Sequence, residues 1–264
     1  MPEWKALRYT VEHDVAWVTM NRPEQRNAVN AQLREELIGV FTDARTDAGV
    51  RAMVLTGAGK GFCTGADLAG PRGQGPTGPG ATRTMMKASS QRLIRALWEL
   101  EKPVVAAVNG VAAGLGAHLA FASDFVIAAA EARFIEVFVR RGIAVDAAGA
   151  FLLPRLIGLA KAKELVFFGE SLGADEAHRI GLVSKVVPGD KLQETAREWA
   201  ERLAKGPTVA IGISKRLLNR SLESSFETAL EEEALAQTLV TQSEDTREGM
   251  LSFVERRAPE FKGR

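Results

Sequence analysis

The segment of residues 104–130, VVAAVNGVAAGLGAHLAFASDFVIAAA, constrains the fold of this chain more than any other. It is long enough to span a membrane, but Asn109, His118 and Asp124 interrupt the apolar run and three glycines break it. A transmembrane helix needs about 20 consecutive, predominantly apolar residues. We therefore predict a buried strand, a glycine turn and a buried helix here, and no membrane span.

Hydrophobic periodicity divides the rest of the N-terminal part into strands and helices. Alternation up to Met20 predicts a strand, and apolar residues at three- and four-residue spacing predict a helix from Asn30. Strands alternating with helices indicate an α/β fold with largely parallel, buried strands. The same signals predict a strand at 51–59, a mobile Gly/Pro-rich loop at 70–80, a helix at 84–100, and strands at 103–110 and 124–130.

The pattern becomes helical after Pro188, with predicted helices at 190–205, 207–219 and 223–240. We therefore predict two regions, an α/β core in residues 1–200 and a helical C-terminal region in residues 201–264.

Composition excludes several classes of function. A formal net charge of +1 gives no electrostatic reason to bind nucleic acid or an anionic membrane. The single cysteine, Cys63, rules out an intrachain disulfide and fits a reducing cytoplasm. With one cysteine and three histidines, we expect no metal site. The first fourteen residues lack the apolar stretch of a secretory signal.

Two glycine-rich turns are similar to nucleotide-binding loops, but each lacks a residue that such a loop needs. In GAGKG (57–61), Gly61 follows Lys60 where a phosphate-binding loop has Ser or Thr. GLG (114–116) lacks the third glycine of a dinucleotide site. We interpret both as turns after strands, where exposed backbone N–H groups can still hold an anion or oxyanion.

Asp146 is the one acid among small and apolar residues in the stretch IAVDAAG (143–149). It precedes a plausible helix, and aspartate is among the best N-cap residues. Its position is equally suited to acid–base chemistry, so the residues alone leave the choice between a helix cap and a catalytic group open.

Taken together, several stretches resemble the enoyl-CoA hydratase/isomerase (crotonase) superfamily, nearly end to end and in the right order. The matching stretches are NRPEQRNAVN (21–30), VLTGAGKGFCTGADL (54–68), KPVVAAVNGVAAGLGAHLAFASDFVIA (102–128), RGIAVDAAGAFLLPRLIG (141–158), GLVSKVV (181–187) and REGMLSFVERRAPEF (247–261).

The resemblance implies a core built as a spiral of repeated ββα units and a C-terminal helical region that forms a homotrimer or homohexamer. It also implies an acyl-CoA thioester as substrate, with coenzyme A as part of that substrate and no separate cofactor. The family's two backbone donors to the thioester oxygen fall on Ala66 and Leu115. Negative charge develops on that oxygen during the reaction, and each donor can contribute roughly 3 kcal/mol to the transition state.

The same resemblance implies where the coenzyme lies. Its adenine is expected against Ala28 and against Ala66, Asp67 and Leu68, and Arg26 resembles the basic residue near the phosphates.

The positions of the carboxylic acids distinguish the hydratases from the isomerases of this family. Hydratases carry carboxyl groups at the positions of His118 and Phe138, one to activate water and one to deliver a proton. Glu136 lies two residues from the second position, and we interpret it as an ordinary exposed or salt-bridged acid. Asp146 falls where dienoyl-CoA isomerases and the 1,2-epoxyphenylacetyl-CoA isomerases of aerobic phenylacetate breakdown keep their acid, and its segment resembles the latter.

We therefore expect an acyl-CoA isomerase in which Asp146 is the acid/base and also caps the following helix. His118 is either a hydrogen-bonded core residue, a polar lining of the acyl pocket, or a partner that tunes Asp146. The alternatives are an enoyl-CoA hydratase supported by Glu136 or His118, a dehalogenase with an aspartyl nucleophile, and a non-catalytic acyl-CoA-binding trimer. A cytoplasmic location is expected.

Overall fold

The computed structural model describes residues 4–68 and 78–264. The predicted loop at 70–80 therefore lies outside the described residues except for its last three positions. Within the described ranges the strands are β1 (Leu7–Glu12), β2 (Val15–Met20), β3 (Ala52–Gly57), β4 (Gly61–Cys63), β5 (Val104–Val108), β6 (Val111–Ala113), β7 (Phe125–Ala129), β8 (Arg133–Ile135), β9 (Ser171–Gly173) and β10 (Lys185–Val187).

Helices follow most of the strand pairs and continue alone at the C-terminus. They are α1 (Ala31–Thr46), α2 (Ala81–Ala88), α3 (Ser90–Trp98), α4 (Leu115–Phe121), α5 (Gly149–Phe168), α6 (Ala174–Arg179), α7 (Leu192–Ala204), α8 (Thr208–Ser221), α9 (Phe226–Val240) and α10 (Glu244–Glu255).

The strands of the described part form two sheets, and the chain winds repeatedly between them. The larger sheet has the order β1-β2-β3-β5-β7-β10 and the smaller one the order β4-β6-β8-β9. Each of the pairs β3–β4, β5–β6 and β7–β8 places its first strand in the larger sheet and its second in the smaller, and helices follow each pair. This arrangement confirms the predicted α/β spiral of ββα units with a helical C-terminal region.

The central strands are apolar because both faces of the larger sheet are covered. Every residue of β3 and of β5 is buried, as expected for parallel strands between two layers. One face packs against α1, which begins where the side chain of Asn30 accepts a hydrogen bond from the N–H of Leu33 at 2.8 Å. Helix α7 covers the other face through the buried Leu192, Ala196 and Ala200.

The C-terminal helices are attached to the core by a partly buried ion pair. The amine of Lys215 on α8 lies 2.8 Å from the carboxylate of Asp124 and 3.2 Å from the carbonyl oxygen of Lys102. Gly212 allows this approach, because a Cβ there would lie 2.1 Å from the carbonyl oxygen of Glu101. The predicted division of the chain at residue 200 falls within α7 and stays a prediction.

Two predicted helices differ from the observed ones. The helix predicted over 84–100 is instead two helices, α2 and α3, which are separated at Ser89 by a backbone of φ −116° and ψ −101°. The helix predicted directly after Asp146 begins only at Gly149, following two residues with positive φ. Among the described residues, no helix combines the length and apolar character needed to cross a membrane.

Candidate active site

Ala66 lies in a tight turn that follows β4. Gly65 adopts a φ of +94°, and Val29 pairs with this turn as an isolated parallel bridge. The N–H of Val29 donates to the carbonyl of Gly65 at 2.8 Å, and its carbonyl accepts from the N–H of Asp67 at 3.0 Å. Since this pairing uses the groups on either side of Ala66, the N–H of Ala66 is directed away from Val29 and can serve another acceptor.

Leu115 is the first residue of α4, directly after the turn at Gly114. Its N–H therefore has no acceptor within the helix, and it lies at the positive end of the helix dipole. Gly114 has a φ of +51°, and a Cβ at this position would lie 3.2 Å from the side chain of Val137. The leucine side chain is buried, so only the backbone of Leu115 is offered to a ligand.

Glycines bring these two turns into contact. A Cβ on Gly65 would lie 2.8 Å from the carbonyl oxygen of Ala113 and 3.6 Å from the nitrogen of Leu115. A Cβ on Gly116 would lie 2.1 Å from the carbonyl oxygen of Cys63. The turns that carry the two predicted oxyanion donors are therefore packed together, as donors to one oxygen must be.

The residues predicted to contact the coenzyme gather around the same turn. Arg26 is exposed and its carbonyl accepts a hydrogen bond from the N–H of Thr64 at 3.2 Å. Ala28 is half-buried, Ala66 is exposed, and the side chain of Leu68 is 66% exposed. The structure thus brings Arg26, Ala28, Ala66, Asp67 and Leu68 together on an accessible surface.

Arg22 joins the segment of Ala28 to the segment of Asp67 on this surface. It was not among the residues predicted for the site. Its guanidinium lies 2.8 Å from the carboxylate of Asp67 and also donates to the carbonyl oxygen of Ala28. Asn27 supports the same turn by donating to the carbonyl of Gly61 at 2.8 Å. In the sequence Arg22 is one residue of the matched stretch 21–30, and nothing there indicates a contact with Asp67, 45 positions away.

Asp146 is not the N-cap of α5, which corrects our expectation. The N-cap is Ala148, with a φ of +66°, and it makes no side-chain capping bond. Ala147 also has a positive φ, of +45°, so a strained turn separates Asp146 from the helix. The carboxyl group is left half-buried and available for chemistry.

His118 and Glu136 lie behind Asp146 as a buried pair. Nε2 of His118 is 3.1 and 3.2 Å from the two carboxylate oxygens of Glu136. The His118 ring is fully buried and stacks on Phe138, with centroids 5.5 Å apart and an interplanar angle of 14°. Glu136 is therefore salt-bridged, one of the two forms we expected, but it is buried rather than exposed.

The three groups share an electrostatic environment. Burial raises the pKa of Asp146, the charge of His118 lowers it, and the charge of Glu136 raises it, with a net rise above the ordinary value of an aspartate. A carboxyl group with a raised pKa gives up and takes back a proton nearer neutral pH, as an acid/base catalyst must.

Cys63 does not contribute a nucleophile. Its side chain is fully buried under the oxyanion turn, and desolvation raises the pKa of the thiol to about 12. A thiol with such a pKa is protonated at physiological pH and unreactive. Cys63 therefore acts as a small buried core residue.

A sizeable cavity lined by described residues lies at the other end of α4. It has a volume of about 720 Å³ and a mostly apolar lining that includes Phe121, Phe151 and Ile211. Its rim includes the exposed side chains of Leu156 and Leu218. The cavity opens between α5 and α8 rather than at Leu115, so it is distinct from the oxyanion turns.

A spiral of ββα units in which the turns carrying two predicted backbone donors are packed together is suited to chemistry on an oxyanion. The family model described as enoyl-CoA hydratase/isomerase matches residues 10–264. The chain therefore belongs to the enoyl-CoA hydratase/isomerase family, and the resemblance inferred from its sequence is confirmed.

Three known proteins illustrate the similarity. The chain is 40% identical over 255 residues to the 1,2-epoxyphenylacetyl-CoA isomerase of Escherichia coli K12, covering 96% of this chain and 97% of the relative. It is 40% identical over 257 residues to the short-chain-enoyl-CoA hydratase of Clostridium acetobutylicum, covering 96% of each. The crystal structure of an enoyl-CoA hydratase/isomerase from Cupriavidus metallidurans CH34 superposes with a TM-score of 0.93 at 35% identity, covering 100% of this chain and 98% of that one.

Proposed function

We propose that this protein is an acyl-CoA isomerase that moves a double bond, or isomerises a ring epoxide, through an enolate of the thioester. The N–H groups of Ala66 and Leu115 bind the thioester oxygen, and Asp146 removes a proton from one carbon. The electron pair left behind delocalises onto the oxygen, where the two donors stabilise it. Asp146 then returns the proton to a second carbon, so one carboxyl group serves both steps and no water is consumed.

The environment of Asp146 carries this proposal. Of the acids near the oxyanion turns, Asp146 is half-buried and has a raised pKa, whereas Glu136 is buried and bound to His118. Phe138 occupies the position where hydratases have their second acid, and its side chain is buried. Sequence similarity to the E. coli protein named an isomerase also supports the proposal.

Hydration of a 2-enoyl-CoA is the second candidate, because the C. acetobutylicum relative is named a hydratase. It needs a group to activate water in addition to Asp146. Glu136 is a poor choice because its carboxylate is 4% exposed and both of its oxygens face His118. His118 itself is fully buried.

One set of assays separates these candidates. Purified protein is given crotonyl-CoA, a 3-enoyl-CoA and an epoxyphenylacetyl-CoA, in the wild type and in Asp146→Asn. We expect isomerase turnover in the wild type and a loss of 10²–10⁴-fold in Asp146→Asn, on the order expected for a general acid–base group. Asp43→Asn, at an exposed position in α1, is the matched control and should retain full activity.

Each other outcome has a definite meaning. Full isomerase activity in Asp146→Asn would remove Asp146 from the mechanism. Hydration of crotonyl-CoA at an ordinary enzyme rate would establish the second candidate. Binding of all three thioesters without turnover would indicate an acyl-CoA-binding protein with no catalysis.

We also propose that the protein acts as a homotrimer or homohexamer. A C-terminal apolar face supports this, and its members are large apolar side chains on or next to α8, α9 and α10. We define it as Leu218, Leu222, Phe226, Phe253 and Val254, of which Phe253 is 83% exposed. Exposed apolar faces of this kind are typical of surfaces that pack against another protein. The expected substrate is an acyl-CoA thioester, with coenzyme A as its carrier and no separate cofactor.

A further inference from the structure

The pair of His118 and Glu136 is buried too deeply to contact a substrate in the manner of Asp146. His118 is fully buried and Glu136 is 4% exposed. An ionised carboxylate at this depth is costly unless it is paired and hydrogen-bonded. Nε2 of His118 satisfies that requirement by facing both oxygens of Glu136, at 3.1 and 3.2 Å.

Packing fixes the His118 ring beside the base. It is stacked on Phe138 on one side and lies over the first residue of α5 on another. A Cβ on Gly149 would lie 2.3 Å from Cε1 of the ring, so only glycine allows this approach. Gly149 is three residues after Asp146, and its N–H donates to the main-chain oxygen of Asp146 at 2.9 Å. The imidazole is therefore tied to the same turn that presents the carboxyl group.

A purely structural role does not account for this polar pair. Nδ1 of His118 is buried and has no hydrogen-bond partner among the described residues. Buried polar atoms without partners are rare in native structures, because each loses its interactions with water. An apolar side chain in place of His118 would fill the space between Phe138 and Gly149 without that cost. The imidazole at this position therefore indicates an electrostatic role.

We propose that His118 and Glu136 are positioning residues for Asp146, with Glu136 holding the imidazole and the imidazole holding the charge of the base. This inference rests on the proposed function, in which Asp146 exchanges the proton. Two charged groups from other elements act on the Asp146 carboxyl group, His118 from α4 and Glu136 from the segment after β8. Arg140 and Arg141, on the neighbouring 3₁₀ turn, are exposed to solvent.

Both members of the pair are needed for a charge on the buried imidazole, which gives the test. Asp146 must be ionised to take a proton, so kcat/KM falls as the pH drops through its pKa. His118→Asn removes the charge that lowers this pKa, and we expect the acid limb to move to higher pH by about one unit. Glu136→Gln leaves a charge on the imidazole without its buried partner, which is costly, so that charge is lost and we expect the limb to move to higher pH by about 0.5 unit.

The measurement is the pH dependence of kcat/KM on the acyl-CoA that the wild type turns over best. Glu198→Gln, at an exposed position on α7, is the control of the same chemistry and should leave the limb in place. A structural role would lower kcat in both variants without moving the limbs. If His118→Asn does not fold, because Glu136 is left unpaired, the shift in Glu136→Gln decides by itself.

The outcomes separate this inference from the proposed function. If Asp146→Asn loses activity while the limb of either folded pair variant stays in place or moves to lower pH, the pair has no positioning role and Asp146 keeps its own. If Asp146→Asn is fully active, or if no acyl-CoA is turned over, both proposals fail. Shifts to higher pH together with an inactive Asp146→Asn support both.

Discussion

At the scale of single residues, glycines define the site as much as the larger side chains do. Gly65 and Gly116 lie where a Cβ would meet the carbonyl oxygens of Ala113 and Cys63, at 2.8 and 2.1 Å. These two contacts hold together the turns that carry Ala66 and Leu115. The glycines were visible in the sequence, but the reason for them was not, because each meets a carbonyl from a distant part of the chain.

Replacement of Gly65 by alanine tests this close approach. Gly65 has a φ of +94°, so alanine there is strained by roughly 1–3 kcal/mol in addition to the contact with Ala113. We expect a lower melting temperature and a lower kcat, because Ala66 is displaced from Leu115. Gly78→Ala is the control, since Gly78 has a similar φ of +97° but nothing within 4 Å of its Cβ position. Equal kcat values in the two variants would contradict a role for the contact.

At the scale of elements, the observed helices differ from the predicted ones where tertiary packing outweighs the local sequence pattern. The apolar periodicity runs through residues 84–100, and no glycine or proline interrupts it. Helix α3 nevertheless separates from α2, because Leu93 and Leu97 pack into the core while α2 has no buried residue. The start of α5 was also missed, since two consecutive alanines with positive φ are unfavourable in isolation.

The turn at the start of α5 gives an element-scale prediction. Ala148 has a φ of +66°, which costs an L-amino acid about 1–2 kcal/mol relative to the ordinary regions. We expect Ala148→Gly to raise the free energy of unfolding by about 1 kcal/mol, measured by urea denaturation. Ala234→Gly, at an exposed position in the interior of α9, should instead lower it by about 1 kcal/mol. A destabilised Ala148→Gly would show that the turn is not strained.

At the scale of the whole molecule, the C-terminal apolar face predicts self-association. We expect light scattering to give a mass three or six times the 28.5 kDa of the chain. Replacing Leu218 and Leu222 together by glutamine should shift the protein toward the monomer, because it removes apolar surface that a second copy would bury. Val11→Gln, on the exposed side of β1, should leave the mass unchanged. A monomeric wild type would refute the oligomer, and the cytoplasmic location also stays a prediction.

Local periodicity predicted the α/β class and the buried strands. Motifs such as GLGAH and TGADL carried the resemblance to the family, and that resemblance implied the spiral of ββα units. It also placed Asp146, Ala66 and Leu115 as candidates, since each lies within a matched stretch. The tertiary structure was needed to show that Glu136 and His118 form one buried pair near Asp146, and that Arg22 ties Ala28 to Asp67. These contacts join residues from 6 to 45 positions apart whose spacing follows from the path of the chain rather than from any local pattern.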